Sequence, residues 1–233
     1  MKQYVVNNIT ICLLITILYS SFTNAAFVLN GTRFIYQEGA DSTSIQVNNN
    51  SNSDYAGQAW IENIDKESKV SFVSLPSFFE LKSEESQLLR LIKVRDNLPE
   101  DRESLFWLNV QEIPQIDKRA TNKMVVAINT RVKLLYRPKA LQPERKDAEN
   151  KISYFLDKKN GKVRLKNPTG YYFAIQSLQH LGKELSLDIK NGILEPYSEV
   201  DIKGLQSIPT NLVLEAIDDY GAVNNFLISP LGN

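Results

Sequence analysis

Cysteine and histidine are almost missing from this chain: its 233 residues include one cysteine, Cys12, and one histidine, His180. That scarcity excludes Cys/His metal clusters and Cys–His catalysis, and leaves a zinc site to carboxylates almost alone. A Ser-His-Asp site would depend wholly on His180 in SLQHLGKEL, where a lone histidine reads as a surface or strand-end residue. Glycine-rich phosphate loops and a G-x-S-x-G elbow are also lacking. The sequence therefore predicts no catalytic residue, no metal site and no cofactor. Nor is there an excess of either charge, with 27 basic and 27 acidic residues. Without a positive field, neither nucleic acid nor an anionic membrane is supported as a partner.

Long apolar runs are confined to the first 25 residues. Ile9–Tyr19 is a run of 11, short of the roughly 20 needed to span a bilayer. Lys2 precedes it and Thr23-Asn24-Ala25 follows, so residues 1–25 read as a secretory signal cut between Ala25 and Ala26. Cys12 and Lys2 leave with it, and 26 basic against 27 acidic residues give a net charge of −1. A secreted chain without disulfides must rely on its core, for which this length suffices. Cysteine-free secretion suits a bacterial periplasm better than a eukaryotic extracellular space. Membrane insertion of the remainder is not expected.

What the chain does have is short β-type runs punctuated by turns. FVLNGTRFIYQEG, STSIQV, YAGQAWIENID, VSFVSLPSFFEL, QLLRLIKVRD, SLFWLNVQEIP and KMVVAINTRVKLLYRP make about seven strands before residue 138. No apolar stripe of helical period competes, and this spacing reads as an antiparallel sandwich. Residues 141–150 lie in a polar, proline-bearing stretch and are read as the linker between a domain at 26–140 and a second at 151–233. Seven more β-type runs follow, from ISYFLD to VNNFLIS, with Asn160-Gly161, Asn191-Gly192 and Tyr220-Gly221 suited to tight turns. The predicted class is all-β: two immunoglobulin-like β-sandwich domains.

The segments AFVLNGTRFIY, GQAWIEN, LPEDRESLFWLNVQEIP, RVKLLYRP, KNPTGYYFAI and IDDYGA follow one another in this order and span nearly all of the chain after residue 25. Their order resembles one family, the periplasmic chaperones of pilus assembly, which work with an outer-membrane usher. The likeness is thin in SFVSLPSFFELKSEESQ, where the family's usual proline pair is absent, and the second domain lacks the cysteine pair of some members. The short stretch Ile113–Lys123 resembles the short-loop group of the family.

The resemblance implies two domains set at an angle with a cleft between them. It implies as partner a pilus or fimbrial subunit that lacks its last strand. NKMVVAINTRVKLLYRP is similar to the strand such chaperones lend, so Met124, Val126 and Ile128 are the implied donor-strand face, spaced at period two. Arg33 and Lys133 match the positions that grip the subunit's C-terminal carboxylate. Glu103, Arg137 and Asp219 match an ion network across the domain boundary. Lys133 has opposite parity from Ile128, so either a bulge or strong twist lies near Asn129-Thr130, or the anchor is reached from the strand's other side. Self-association of free molecules through the donor strand stays open. The alternative function is a secreted immunoglobulin-like adhesion or pilus structural module. A carboxylate-dependent hydrolase ranks third, with no motif behind it.

Overall fold

The computed structural model describes residues 26–64, 69–115, 126–205 and 207–231; the expected signal segment and Met124 lie outside them. Before residue 138 the strands are β1 (Phe27–Leu29), β2 (Arg33–Gln37), β3 (Thr43–Asn49), β4 (Tyr55–Asn63), β5 (Phe72–Leu75), β6 (Phe78–Leu81), β7 (Ser86–Lys93), β8 (Ser104–Pro114) and β9 (Asn129–Arg137). They form two facing sheets, ordered β1-β3-β7-β5 and β2-β9-β8-β4-β6. The described residues hold nine strands rather than the seven expected, because two of the sequence runs each divide between the sheets. In FVLNGTRFIYQEG, β1 pairs antiparallel with β3, and after Asn30-Gly31-Thr32 β2 joins β9. In VSFVSLPSFFEL, β5 pairs with β7 and β6 with β4. Pro76 separates them, having no N–H to offer a ladder.

The β2–β9 pair is parallel, which corrects the wholly antiparallel expectation. A chain that crosses sheets without reversing meets its second partner in whatever direction that partner runs. Between the sheets, alternate residues build one core, from Phe34 and Tyr36 through Leu108 and Val110 to Val132 and Leu134. Phe72 is its hub, edge-on to Tyr36 at 5.0 Å and to Phe106 at 4.8 Å, the geometry aromatic quadrupoles favour.

The second half contains β10 (Ser153–Asp157), β11 (Lys162–Lys166), β12 (Phe173–His180), β13 (Lys183–Leu187), β14 (Ile193–Leu194), β15 (Glu199–Lys203), β16 (Leu212–Ile217) and β17 (Val223–Ile228). Their order is β10-β11-β15-β13-β12-β16-β17, with the two-residue β14 on β12. The sheet curls until its ends meet: Tyr154 bridges Pro230, and the Leu231 N–H donates to the Tyr154 carbonyl at 2.7 Å. Tyr154, Leu165, Phe173, Leu178 and Leu214 fill its centre. The β12–β13 hairpin turns on Leu181-Gly182, with φ of 49° and 74°, and not on one of the Asn-Gly pairs.

Between the two bodies the chain makes two 3-10 turns, Lys139–Glu144 and Ala148–Lys151, and Ala148 and Glu149 are buried. The segment read as a linker is therefore packed into the join. A cleft of about 800 Å³ lies between the domains, lined by Arg33, Arg137, Arg145, Asp218, Asp219 and Tyr220 among others. No described helix is long and apolar enough to cross a membrane.

Candidate functional site

β9 is covered on one side by β8 along its whole length, from Gln111↔Asn129 to Ser104↔Tyr136. On the other side β2 begins only at Arg33↔Lys133 and ends at Gln37↔Arg137. Among the described residues no strand pairs with Asn129–Val132 on that side, so this part of β9 presents an open edge. Regular strand starts at Asn129, later than the run beginning at Met124 suggested. Val126 and Ile128 precede it outside any strand, and the Glu112 N–H donates to the Ile128 carbonyl at 3.0 Å. Val126 is 59% exposed and Ile128 41%; neither is sealed in its own sandwich.

The β8–β9 ladder runs through eight consecutive pairs without a shift. A bulge near Asn129-Thr130 is thus excluded. Val132, Leu134 and Tyr136 point into the core, while Arg131, Lys133 and Leu135 lie on the opposite face, where Lys133 and Leu135 line a small pocket with Arg33, Tyr172 and Phe173. The anchor candidates are on the other side of the strand from the Val126–Ile128 face, the second of the two arrangements left open by parity. Register places Arg33, Lys133, Trp107 and Glu62 in one row across four neighbouring strands. Lys133 Nζ sits 5.9 Å from the Trp107 ring, and Arg131 lies over the same ring at 4.6 Å.

Electrostatically, Lys133 and Arg33 are cations side by side. Burial and then the Arg33 charge hold the Lys133 ammonium below its ordinary pKa. Burial also lowers Arg33, opposed chiefly by Asp219 and Asp218. Arg33 Nη1 donates to the Ile217 carbonyl at 2.7 Å, and its buried Nε has no partner. Two partly desolvated cations that contact no carboxylate among the described residues form a ready site for an anion, because a negative group relieves both their repulsion and their lost hydration.

Glu103, Arg137 and Asp219 are brought together. Arg137 Nε donates to Glu103 at 2.6 Å, and its two terminal nitrogens reach Asp219 at 2.7 and 3.1 Å. Glu103 and Arg137 are almost fully buried. Burial pushes the Glu103 carboxyl up, and Arg137 with the Tyr172 N–H, 2.8 Å from the second oxygen, pulls the other way. Burial pulls Arg137 down, but Asp219 and Glu103 outweigh it and the guanidinium stays charged. Glu103 also donates its N–H to the Gly170 carbonyl. A Cβ on Gly170 would stand 2.5 Å from the Asp101 carbonyl, so the domains meet too closely there for any side chain.

Sequence reasoning missed Arg145 and Glu149, which are bidentate at 2.9 and 2.8 Å, and it gave Gly170 no role beyond its place in KNPTGYYFAI. The i,i+4 spacing of Arg145 and Glu149 in PERKDAEN was the available signal.

Two β-sandwich domains, an open strand edge and a basic step at its end define an immunoglobulin-like strand-pairing protein. The chain belongs to the pilus-assembly chaperone family. Residues 26–142 match the model described as "Pili and flagellar-assembly chaperone, PapD N-terminal domain", and residues 147–226 match "Pili assembly chaperone PapD, C-terminal domain". It is 44% identical to the chaperone protein FanE of Escherichia coli, over 90% of this chain and 93% of that one. The crystal structure of the periplasmic chaperone SfaE is 32% identical with a TM-score of 0.70, covering 88% of this chain and 100% of SfaE. A structure of the Salmonella enterica SafA pilin with the SafB chaperone matches at a TM-score of 0.75 and 23% identity, over 90% and 98% of the two chains, a likeness of fold.

Proposed function

We propose that this protein is a periplasmic chaperone that completes pilus subunits lacking their last strand, using β9 and the residues before it, and passes them to an outer-membrane usher. The observation that carries this is the β9 edge, open over Asn129–Val132 and closed at Arg33↔Lys133. A strand added along that edge has room only until it meets β2. Its end must therefore lie at the Arg33–Lys133 step. If that end is a C-terminus, the added strand runs parallel to β9, and its terminal carboxylate meets the two cations.

The energetics divide the work. Met124, Val126 and Ile128 would fill the subunit's open groove, worth about 1.5–3 kcal/mol each when buried. Losses of rotational freedom and ordering consume much of that. Apolar contact of this kind binds without choosing a register, whereas a carboxylate held by Arg33 and Lys133 selects one. Strand addition, the mode by which chaperones and pilins pair in general, draws affinity from main-chain hydrogen bonds and specificity from alternate side chains. Residues 1–25 would serve as the export signal, and the boundaries 26–140, 141–150 and 151–233 as the domain plan. A pilus structural module would be one incomplete domain, whereas two full strand sets are present here.

The test is co-expression in a periplasm with an immunoglobulin-like subunit from the same gene cluster, which should give a soluble one-to-one complex. Arg33→Ala or Lys133→Ala should abolish it while the chaperone stays folded, a loss of about 2–5 kcal/mol for truncating one side of a buried charge pair. Full-strength capture by the double variant would reject the anchor.

A further inference from the structure

Arg33 lines the same cleft as Asp218 and Asp219, yet among the described residues it pairs with neither. Asp219 and Asp218 exert the largest favourable charge on it. Both are engaged elsewhere. Asp218 accepts the N–H groups of Tyr220 and Ala222 at 2.9 Å and the Asn224 amide at 3.1 Å. Asp219 is held on both oxygens by Arg137. Arg145 Nε approaches Asp219 Oδ1 at 3.3 Å, an ion-pair contact without hydrogen-bond geometry. Arg145 is in turn aimed by Glu149, a carboxylate only 2% exposed that takes both of its terminal nitrogens. The guanidinium is further fixed over the rings of Tyr171 and Phe173, at 5.6 and 5.4 Å.

We propose that Arg145 is a positioning residue: by sharing Asp219 with Arg137, it keeps that carboxylate off Arg33 and leaves Arg33 open to the client's C-terminus. Asp219 sits two residues after Ile217, whose carbonyl takes Arg33 Nη1, so a modest shift of this hairpin would bring a carboxylate onto Arg33. An internal carboxylate there would mimic the client and compete with it. The turn between the domains thus does more than join them. It uses one guanidinium to hold an acid away from the binding cation. This deepens the anchor reading of Arg33 and rests on it for its consequence, but not for its geometry.

The experiment uses the full chain carrying Arg145→Gln together with Glu149→Gln, so that no buried carboxylate loses its partner, and this variant plus Asp219→Asn. A crystal structure of the free double variant should show an Arg33 nitrogen within about 3 Å of an Asp219 oxygen. Arg33 still on the Ile217 carbonyl, away from Asp219, overturns the proposal. In periplasmic co-expression with the gene-cluster subunit, the double variant should capture it about tenfold less well, the scale of one competing, partly buried ion pair. Adding Asp219→Asn should restore most of that loss. A merely structural role predicts the reverse, since Asp219→Asn weakens the domain join further, so an additional fall also overturns the proposal. Capture of no subunit by the unmodified chain would defeat the chaperone reading alone, and the structure of the free variant would still decide the role of Arg145.

Discussion

Lys133, proposed above as an anchor for the client's carboxylate, works against the fold that carries it. Burial and the neighbouring Arg33 hold its pKa below 10.5, so the folded chain releases this proton more readily than the unfolded one. The charged form therefore destabilises the free protein at every pH below the depressed pKa, and the penalty fades as pH rises from that value toward 10.5. Lys133→Met is expected to raise the melting temperature at neutral pH while ending subunit capture. Thermal melts at neutral pH and near pH 10.5 check this, since the variant's advantage should shrink at the higher value; equal advantage at both would mean that packing, not charge, is responsible. The anchor role proposed for Arg33 and Lys133 was suggested by the sequence only through motif likeness, because as isolated letters two cations are indistinguishable from solvent-facing ones. Their lack of a carboxylate partner required coordinates.

At the level of elements, β-type runs and turns were readable, but sheet membership was not. Alternation tells which face of a strand is apolar, and it is blind to which neighbour supplies the hydrogen bonds. Hence FVLNGTRFIYQEG read as one strand, although β1 and β2 belong to different sheets. The same limit hid the open edge of β9, which exists only because β2 begins where it does. Turn chemistry was partly misleading. His180 and Lys183 are paired across a two-residue turn whose first member, Leu181, has φ of 49° and is 90% exposed. A leucine there bears the strain of a left-handed backbone and recovers nothing by packing. Leu181→Asn should stabilise the protein by roughly 0.5–1 kcal/mol, since asparagine tolerates that region far better. A urea titration showing an unchanged or lower midpoint would refute this.

On the scale of the molecule, the buried Glu103–Arg137–Asp219 bridge and the packed turns between β9 and β10 hold two sandwiches around the cleft. Glu103→Ala would strip Arg137 of one carboxylate and leave the Tyr172 N–H without its acceptor. A loss of about 3 kcal/mol is expected, at the low end for a broken buried pair because Asp219 still holds Arg137. Chemical denaturation measures it, and small-angle scattering should report a changed angle between domains; a variant with native stability and an unaltered scattering profile would remove the network from the account. The network matters more for geometry than for net stability, because desolvation offsets much of the attraction between buried ions.

By itself the sequence determined the β class, the two-body plan and, through six ordered segments, the family. Those follow from local properties: period, turn residues and motif order are all written along the chain. Three things were decided only by the tertiary structure. They are the face on which Lys133 lies, the point at which β2 stops covering β9, and the occupation of Asp219 by Arg137 and Arg145. Each depends on groups far apart in sequence, brought within a few ångströms by packing, and local pattern carries no information about which distant charge arrives first.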